Sequence, residues 1–222
     1  MIRQLGVLVS LTLALSAAPA HAQGWHPGHR TTSRLPGEVG DTPHESGDGV
    51  YGRFSGDLDV GFGVGAEIDG DSTRAAGRLS LHYFSMAGVT LGYAEDVGGE
   101  HPRMRRALSL GVDLRPAFIP RWSQGLEDGP GFVDLAIDSI SLGLGAYWAA
   151  PPVGALGDER GFELSGGLGV PLFGRANGLW LEGRAIARWT EPSPRHDGPR
   201  TATLLLLTWH GFVSTPLTRG AD

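Results

Sequence analysis

The sequence predicts an all-β protein, an eight-stranded antiparallel up-and-down transmembrane β-barrel, and three observations predict it. From Val50 to Ile68 every even position is apolar or Gly, while the odd positions carry Tyr51, Arg53, Asp57, Asp59, Glu67 or small residues. Period two sends alternate residues to opposite faces of a strand, so one face is oily and the other charged. The same alternation recurs along the chain to residue 213, giving eight strands in all, and an even number closes an up-and-down barrel with both ends on one side. Finally, 36 of the 222 residues are Gly, yet 41% are apolar, which is a Gly excess without the low hydrophobicity of a disordered chain.

Taken in order, residues 1–22 have the form of a secretory signal peptide. Arg3 precedes an apolar run over 5–18, and the small residues of Ala20-His21-Ala22 suit cleavage before Gln23. The run is shorter than the about 20 residues a membrane helix needs, and the longest all-aliphatic stretch later on is 204–207. Residues 23–48 are rich in Gly, Pro, Ser, Thr and His, with Trp25, Leu35 and Val39 as their sizeable apolar side chains, and are expected to form a flexible arm. His26, His29, His44, Glu45 and Asp48 fall near or in this arm without the spacing of a defined metal site, so neither metal nor cofactor is expected.

The barrel domain is expected over 49–213, followed by a C-terminal tail, 214–222. Its first strand, 50–68, is long for a soluble protein, where about 5–6 residues is usual, but suits a tilted membrane strand that continues beyond the bilayer. A second near 74–84 sets Leu79, Leu81 and Tyr83 against Arg78, Ser80 and His82. After a tight turn at 85–87, the third presents Val89, Leu91 and Tyr93. The fourth, near 106–118, sets Leu108, Leu110, Val112 and Leu114 against Ser109, Gly111, Asp113 and Arg115. A Gly/Pro-marked break follows over 119–131. From 132 to 148 the alternation changes phase, with Val133, Leu135 and Ile137 on odd positions and then Ile140, Leu142 and Leu144 on even ones. Either a bulge near Asp138-Ser139 shifts the face, or 132–138 form a short amphipathic helix across one barrel mouth before the fifth strand. The sixth and seventh strands, 162–173 and 179–189, flank 174–178, whose Asn177-Gly178 pair suits a tight hairpin turn. The eighth is 201–213, where 204–207 are apolar in both parities and leave its facing open. Connections after the second and sixth strands are short. Those after the first (70–73), third (95–104), fifth (149–161) and seventh (190–200) are mostly longer and polar, the rhythm of turns at one end and loops at the other.

With the apolar parity facing lipid, the outer belt comprises Val50, Phe54, Leu58, Val60, Phe62, Leu79, Leu81, Leu108, Leu110, Leu142 and Leu144. The inward ionisable set is Arg53, Asp57, Asp59, Glu67, Arg78, His82, Asp113, Arg115, Glu163, Glu182, Arg184 and Arg188. Acids and arginines nearly balance, as a closed lumen demands, because an unpaired buried charge costs several kcal/mol. Eight strands leave an interior that side chains fill, so no wide pore is expected. Inward glycines such as Gly61, Gly63, Gly65, Gly111, Gly143, Gly145, Gly167 and Gly169 relieve crowding in so narrow a barrel. Tyr51, Trp148, Trp180 and Trp189 fall near strand ends, as interfacial girdle or as ordinary packing.

With these strands in place, residues 49–213 resemble the small eight-stranded barrels of the Gram-negative outer membrane, in pattern rather than through a motif. The resemblance implies location in the outer membrane, contact with its lipid, and insertion by the outer-membrane assembly machinery. Such barrels often finish in an aromatic residue that this machinery reads; here Trp209 and Phe212 lie in the last strand and nine residues follow. A role in envelope structure or surface interaction is the expectation, with an extracellular partner that the sequence does not name.

Composition excludes several classes. With no Cys there is no disulfide, thiolate metal site, Cys nucleophile or lipoprotein acylation. All 18 basic residues are Arg, and a formal charge of −6 provides no general basic surface for nucleic acid. The Gly-rich run 61–65 lies within a strand, and no helix follows to make a nucleotide loop. No catalytic residue is assigned. A lipid A deacylase or acyltransferase would need a Ser/His pair with an orienting acid, and the candidates are His82 with Ser80 near Asp57 and Asp59, or His210 with Ser214. The one Asn, Asn177, is used in a turn. A second alternative is a soluble periplasmic barrel of lipocalin type, which inverts the faces so that Val50, Phe54, Leu58 and Phe62 line a cavity for an apolar ligand.

Overall fold

The alternation resolves into strands β1 (Leu58–Asp69), β2 (Ser72–Tyr83), β3 (Ala87–Asp96), β4 (Arg106–Leu114), β5 (Ser141–Ala150), β6 (Glu159–Pro171), β7 (Gly178–Glu191) and β8 (Arg200–Val213). These belong to a computed structural model that describes residues 53, 56–70, 72–97, 104–124, 126, 130–191 and 199–215. The expected signal peptide, arm and most of the tail lie outside the described residues, as do Val50, Tyr51 and Phe54. Each strand pairs antiparallel with its sequence neighbour, and β1 pairs with β8 from Leu58↔Val213 to Ile68↔Thr203. The sheet is thereby a closed eight-stranded up-and-down barrel, which leaves no edge for a further strand.

The two faces differ in kind. Phe62 and Val64 on β1, Leu79 and Leu81 on β2, Leu91 on β3, Leu110 on β4, Leu142 and Leu144 on β5, Leu164 on β6, Leu181 on β7 and Leu207 on β8 are all exposed. Leu58, Val60 and Leu108 are half-buried. The opposite parity is buried and carries Asp59, Glu67, Arg74, His82, Asp113, Glu163, Arg184 and Arg188. An apolar layer also lies inside, where Met104, Tyr147, Ile186, Leu204 and Leu206 pack with small Ala side chains.

Several local expectations change, and two that the sequence left open, the form of 132–138 and the facing of 204–207, are settled. The first strand begins at Leu58 instead of Val50, because the partners of Leu58, Tyr83 on β2 and Val213 on β8, are themselves the last residues of their strands. Only residues 70 and 71 separate β1 from β2, Asp69 facing Ser72 and Gly70 adopting φ +57°, so this connection is the tight one at its end of the barrel. The break after β4, which ends at Leu114, contains a short helix α1 (Phe118–Ser123), and the phase change is a second helix, α2 (Gly131–Asp138), ahead of β5. Asn177-Gly178 is not a two-residue hairpin turn. Residues 172–177 connect β6 to β7, the Leu172 N–H donating to the Leu179 carbonyl at 2.9 Å. In β8 the even positions from Ala202 to His210 are buried and Leu205, Leu207 and Trp209 are exposed, which settles the facing of 204–207.

The mouth below the charged lumen is shaped by two local features. The β2–β3 turn places the non-Gly residues Phe84 (φ 48°) and Ser85 (φ 53°) in the left-handed region, a geometry whose twist matches the flanking strands. The Met86 N–H closes it on the Tyr83 carbonyl at 3.1 Å, and the Phe84 N–H donates to the Asp57 carbonyl at 2.8 Å. At the start of β5, Ser141 faces Gly167, yet β6 runs on to Pro171. The helix α2 packs beside this overhang, and the Ser139 Oγ both donates to the Gly169 carbonyl and accepts from its N–H, each at 2.7 Å. Here a helix continues the wall that β5 leaves off.

Candidate functional site

The lumen is the chemically distinctive region, and its inward charges fall into two clusters. In the first, Glu67 accepts hydrogen bonds from Arg74 Nη2 (2.6 Å) and from both terminal nitrogens of Arg188 (2.6 and 3.0 Å). Arg188 also donates through Nε to Glu163 at 3.0 Å, and Arg74 reaches Asp69 at 3.2 Å. The Arg188 guanidinium lies over the ring of Tyr147, 5.5 Å from its centroid. Two-pronged guanidinium–carboxylate contact of this kind fixes both partners in orientation as well as charge.

The second cluster centres on Asp59, which is 1% exposed. It accepts from Arg115 Nη1 at 2.7 Å, pairs with His210 Nδ1 at 2.8 Å, and stands 3.9 Å from His82 Nδ1. His210 turns its Nε2 to Glu182 at 2.9 Å, and His82 its Nε2 to Asp113 at 3.1 Å. Asp113 is also bonded to Arg184, which donates to Ser141 (2.9 Å) and Ser165 (3.0 Å), and stands 3.7 Å from Arg78. This arrangement depends on Gly143, where a Cβ would come within 2.5 Å of Ser165 Oγ and 3.0 Å of the Arg184 guanidinium.

Around the mouth beneath this cluster, Arg53 donates to the Leu135 carbonyl at 3.2 Å and lies 5.1 Å over the Phe118 ring. Arg121 bonds Asp134 and, at 3.1 Å, Asp138. Thr215 donates to Asp57 through its hydroxyl and its backbone N–H, and the hydroxyl bond holds the Asp57 carboxyl below the usual carboxylate range. Trp180 is buried here against Leu135 and Ala176, its Nε1 donating to the Ala176 carbonyl at 2.9 Å, so it belongs to the mouth and not to an outer girdle. Trp189 instead stacks on Phe162 with ring centroids 4.6 Å apart. Trp148 is half-buried.

Of the inward set read from the sequence, Asp59, Glu67, Arg78, His82, Asp113, Arg115, Glu163, Glu182, Arg184 and Arg188 therefore line the lumen, and Arg53 and Asp57 lie at its mouth. Sequence reasoning passed over Arg74 and Asp69, although both keep the inward parity of their strands. It also left out His210, because the aliphatic run 204–207 hid the parity that His210 shares with Thr208. Among the described residues, no hydrogen bond joins Ser80 to His82, and both ring nitrogens of His210 are taken by Asp59 and Glu182. Asp57 engages Thr215, and the acid bonded to His82 is Asp113. The lipocalin alternative needs the apolar parity inside, whereas Phe62 is exposed and Arg53 and Asp59 are buried. No group of three or more metal-ligating side chains converges among the described residues. Among the described residues the lumen includes two cavities of about 20 Å³ each, room for about a single water apiece.

No protein-family model and no curated protein matches the chain. Among solved structures, the N-terminal β-barrel domain of Pseudomonas aeruginosa OprF is similar, with a TM-score of 0.41 and 11% sequence identity over 70% of this chain and 98% of that domain.

Proposed function

We propose that this chain is an integral outer-membrane β-barrel of structural or surface-interaction type, without enzymatic activity. One observation carries the reading: large apolar side chains are exposed on all eight strands, while Asp59, Glu67 and the arginines that pair with them are turned inward. Soluble proteins rarely expose apolar patches beyond a few hundred Å², whereas a barrel in lipid needs an unbroken apolar belt. On this reading residues 1–22 direct export, the assembly machinery inserts the barrel, lipid surrounds the belt, and the loops carry whatever partner is met outside the cell. The packed lumen serves rigidity, since its cavities are too small for a solute path.

Fractionation of the native host tests the reading. The mature protein should pellet with outer membranes, require detergent for extraction, and migrate faster on gels before heating than after. Recovery from the soluble periplasm would overturn it. The non-enzymatic part is tested separately with His82→Ala, for which the host's lipid A mass spectrum should match that of the parent strain; a changed acylation pattern would give His82 a catalytic role.

A further inference from the structure

The helix α2 (Gly131–Asp138) is built inside out for a helix in water. Residues three or four apart share a helix face, so Asp134 and Asp138 form one face with Leu135 beside them, and all three are buried. The opposite face carries Phe132, Val133, Ile137 and, just past the helix, Ile140, all of them exposed. A water-facing helix would turn these apolar residues inward and its acids out. Here Arg121 holds both acids from the inner side, and Leu135 packs on Trp180 and Ala176 within the mouth, so the orientation is fixed by the lumen.

The position of the helix determines what covers its apolar face. It stands in the wall below β5 and beside the overhanging end of β6, tied there through Ser139 and Gly169. Its apolar face therefore continues the outer surface of the two strands, whose next outward residues are Leu142 on β5 and Leu168 on β6, both exposed. We propose that α2 is a membrane-contacting part of the wall, with Phe132, Val133, Ile137 and Ile140 against the acyl chains of the bilayer that surrounds the barrel. The proposal rests on the membrane reading and extends it to a segment that is not a strand. It makes the lipid contact deeper on the β5–β6 side than the strands alone provide, in the manner of an interfacial helix whose apolar face enters the acyl boundary.

The chain contains no Cys, so single-Cys variants can each carry one nitroxide label without background. Ile137→Cys and Val133→Cys probe α2, Leu110→Cys probes the middle of the belt, and Val153→Cys, at a position 95% exposed in the β5–β6 connection, serves as the water reference. Each full-length variant is folded into phosphatidylcholine vesicles, its folding checked by heat-modifiable migration. Relaxation enhancement is then read with oxygen, which concentrates in acyl chains, and with a water-soluble nickel chelate. The expected result is that labels at 137 and 133 respond as at 110, to oxygen more than to nickel, while 153 responds to nickel. If 110 responds as lipid-embedded but both α2 labels respond as 153 does, the proposal fails and the membrane reading stands. Shielding of both α2 labels from both reagents would mean a protein partner or a second copy covers the face, and would equally overturn it. Nickel access at 110 would remove the membrane reading itself.

Discussion

Removing the Glu67 carboxylate should destabilise the barrel more than any truncation on the exposed apolar face, because two arginines depend on it. Arg74 and Arg188 together place three donors on Glu67 within 3.0 Å, and all three residues are at most 4% exposed. Breaking a buried ion pair by deleting one member costs about 3–5 kcal/mol, since the remaining charge stays in a poor dielectric. Glu67→Gln keeps the shape and removes the charge. Asp69 remains near Arg74 and Glu163 near Arg188, which places the expected loss at the lower end, about 3 kcal/mol. The double substitution Glu67→Gln, Arg188→Met should cost less than the sum of the two single losses, because each single variant breaks the same two-pronged contact. Urea unfolding in phospholipid vesicles, followed by tryptophan fluorescence and heat-modifiable migration, measures both. A loss under about 1 kcal/mol for the single variant, or a double variant as unstable as the sum of the two singles, would refute the claim that these charges hold one another in a closed lumen.

Three further outcomes are expected. Leu110→Arg, in the middle of β4 on the exposed face, should cost about 2–4 kcal/mol in vesicles, as a cation placed near a bilayer midplane does; no effect there would argue that this face is wet. Ser85→Gly should stabilise by roughly 1–3 kcal/mol, because it relieves a positive φ and removes a buried hydroxyl with no hydrogen-bond partner among the described residues; a lower urea midpoint would show that the turn tolerates Ser without strain. Thr215→Val should raise the Asp57 pKa towards the usual carboxylate value in a carbon-13 NMR titration. Since that pKa is lowered in the folded chain, its contribution to stability is present above the unfolded value and fades as pH falls through the folded one. An unmoved titration would mean that the hydroxyl does not set it.

Strand content was legible because period two survives wherever one face is exposed and apolar and the other lines a charged lumen. Leu79 and Leu81 against Arg78 and His82 is such a place, and so is Leu110 against Asp113. Legibility failed where one of those conditions lapsed. In β8 the lumen side is itself aliphatic, at Leu204 and Leu206, because it faces the apolar layer around Met104 and Tyr147; without polar contrast, parity was lost and His210 with it. The true start of β1 was hidden because apolar alternation over 50–57 says nothing of whether neighbouring strands extend far enough to pair. Which acid meets which base could not be read at all. Asp113 on β4 joins His82 on β2, and Glu67 on β1 joins Arg188 on β7, through a closure and stagger set by the whole sheet.

The phase change after residue 131 shows why periodicity alone left two accounts open. As a strand, 132–138 would place Val133, Leu135 and Ile137 together on one face, and the sequence reads that way. As a helix it separates them: Val133 and Ile137, four apart, go outward, while Leu135 goes in with Asp134 and Asp138. What distinguishes the accounts is the fate of the two acids. A strand of that parity would also turn them inward, but in line with Ala136 along one wall. The helix brings Asp134 and Asp138 within one turn of each other, so that a single guanidinium, Arg121 from α1, reaches both. Two acids thus converge on one arginine, because a spacing of four brings them one turn apart on a helix, whereas on a strand it would leave them on the same face but about 13 Å apart. The wall keeps apolar groups outward and charge inward through a change of secondary structure, by changing the period with which the same two kinds of residue are spaced.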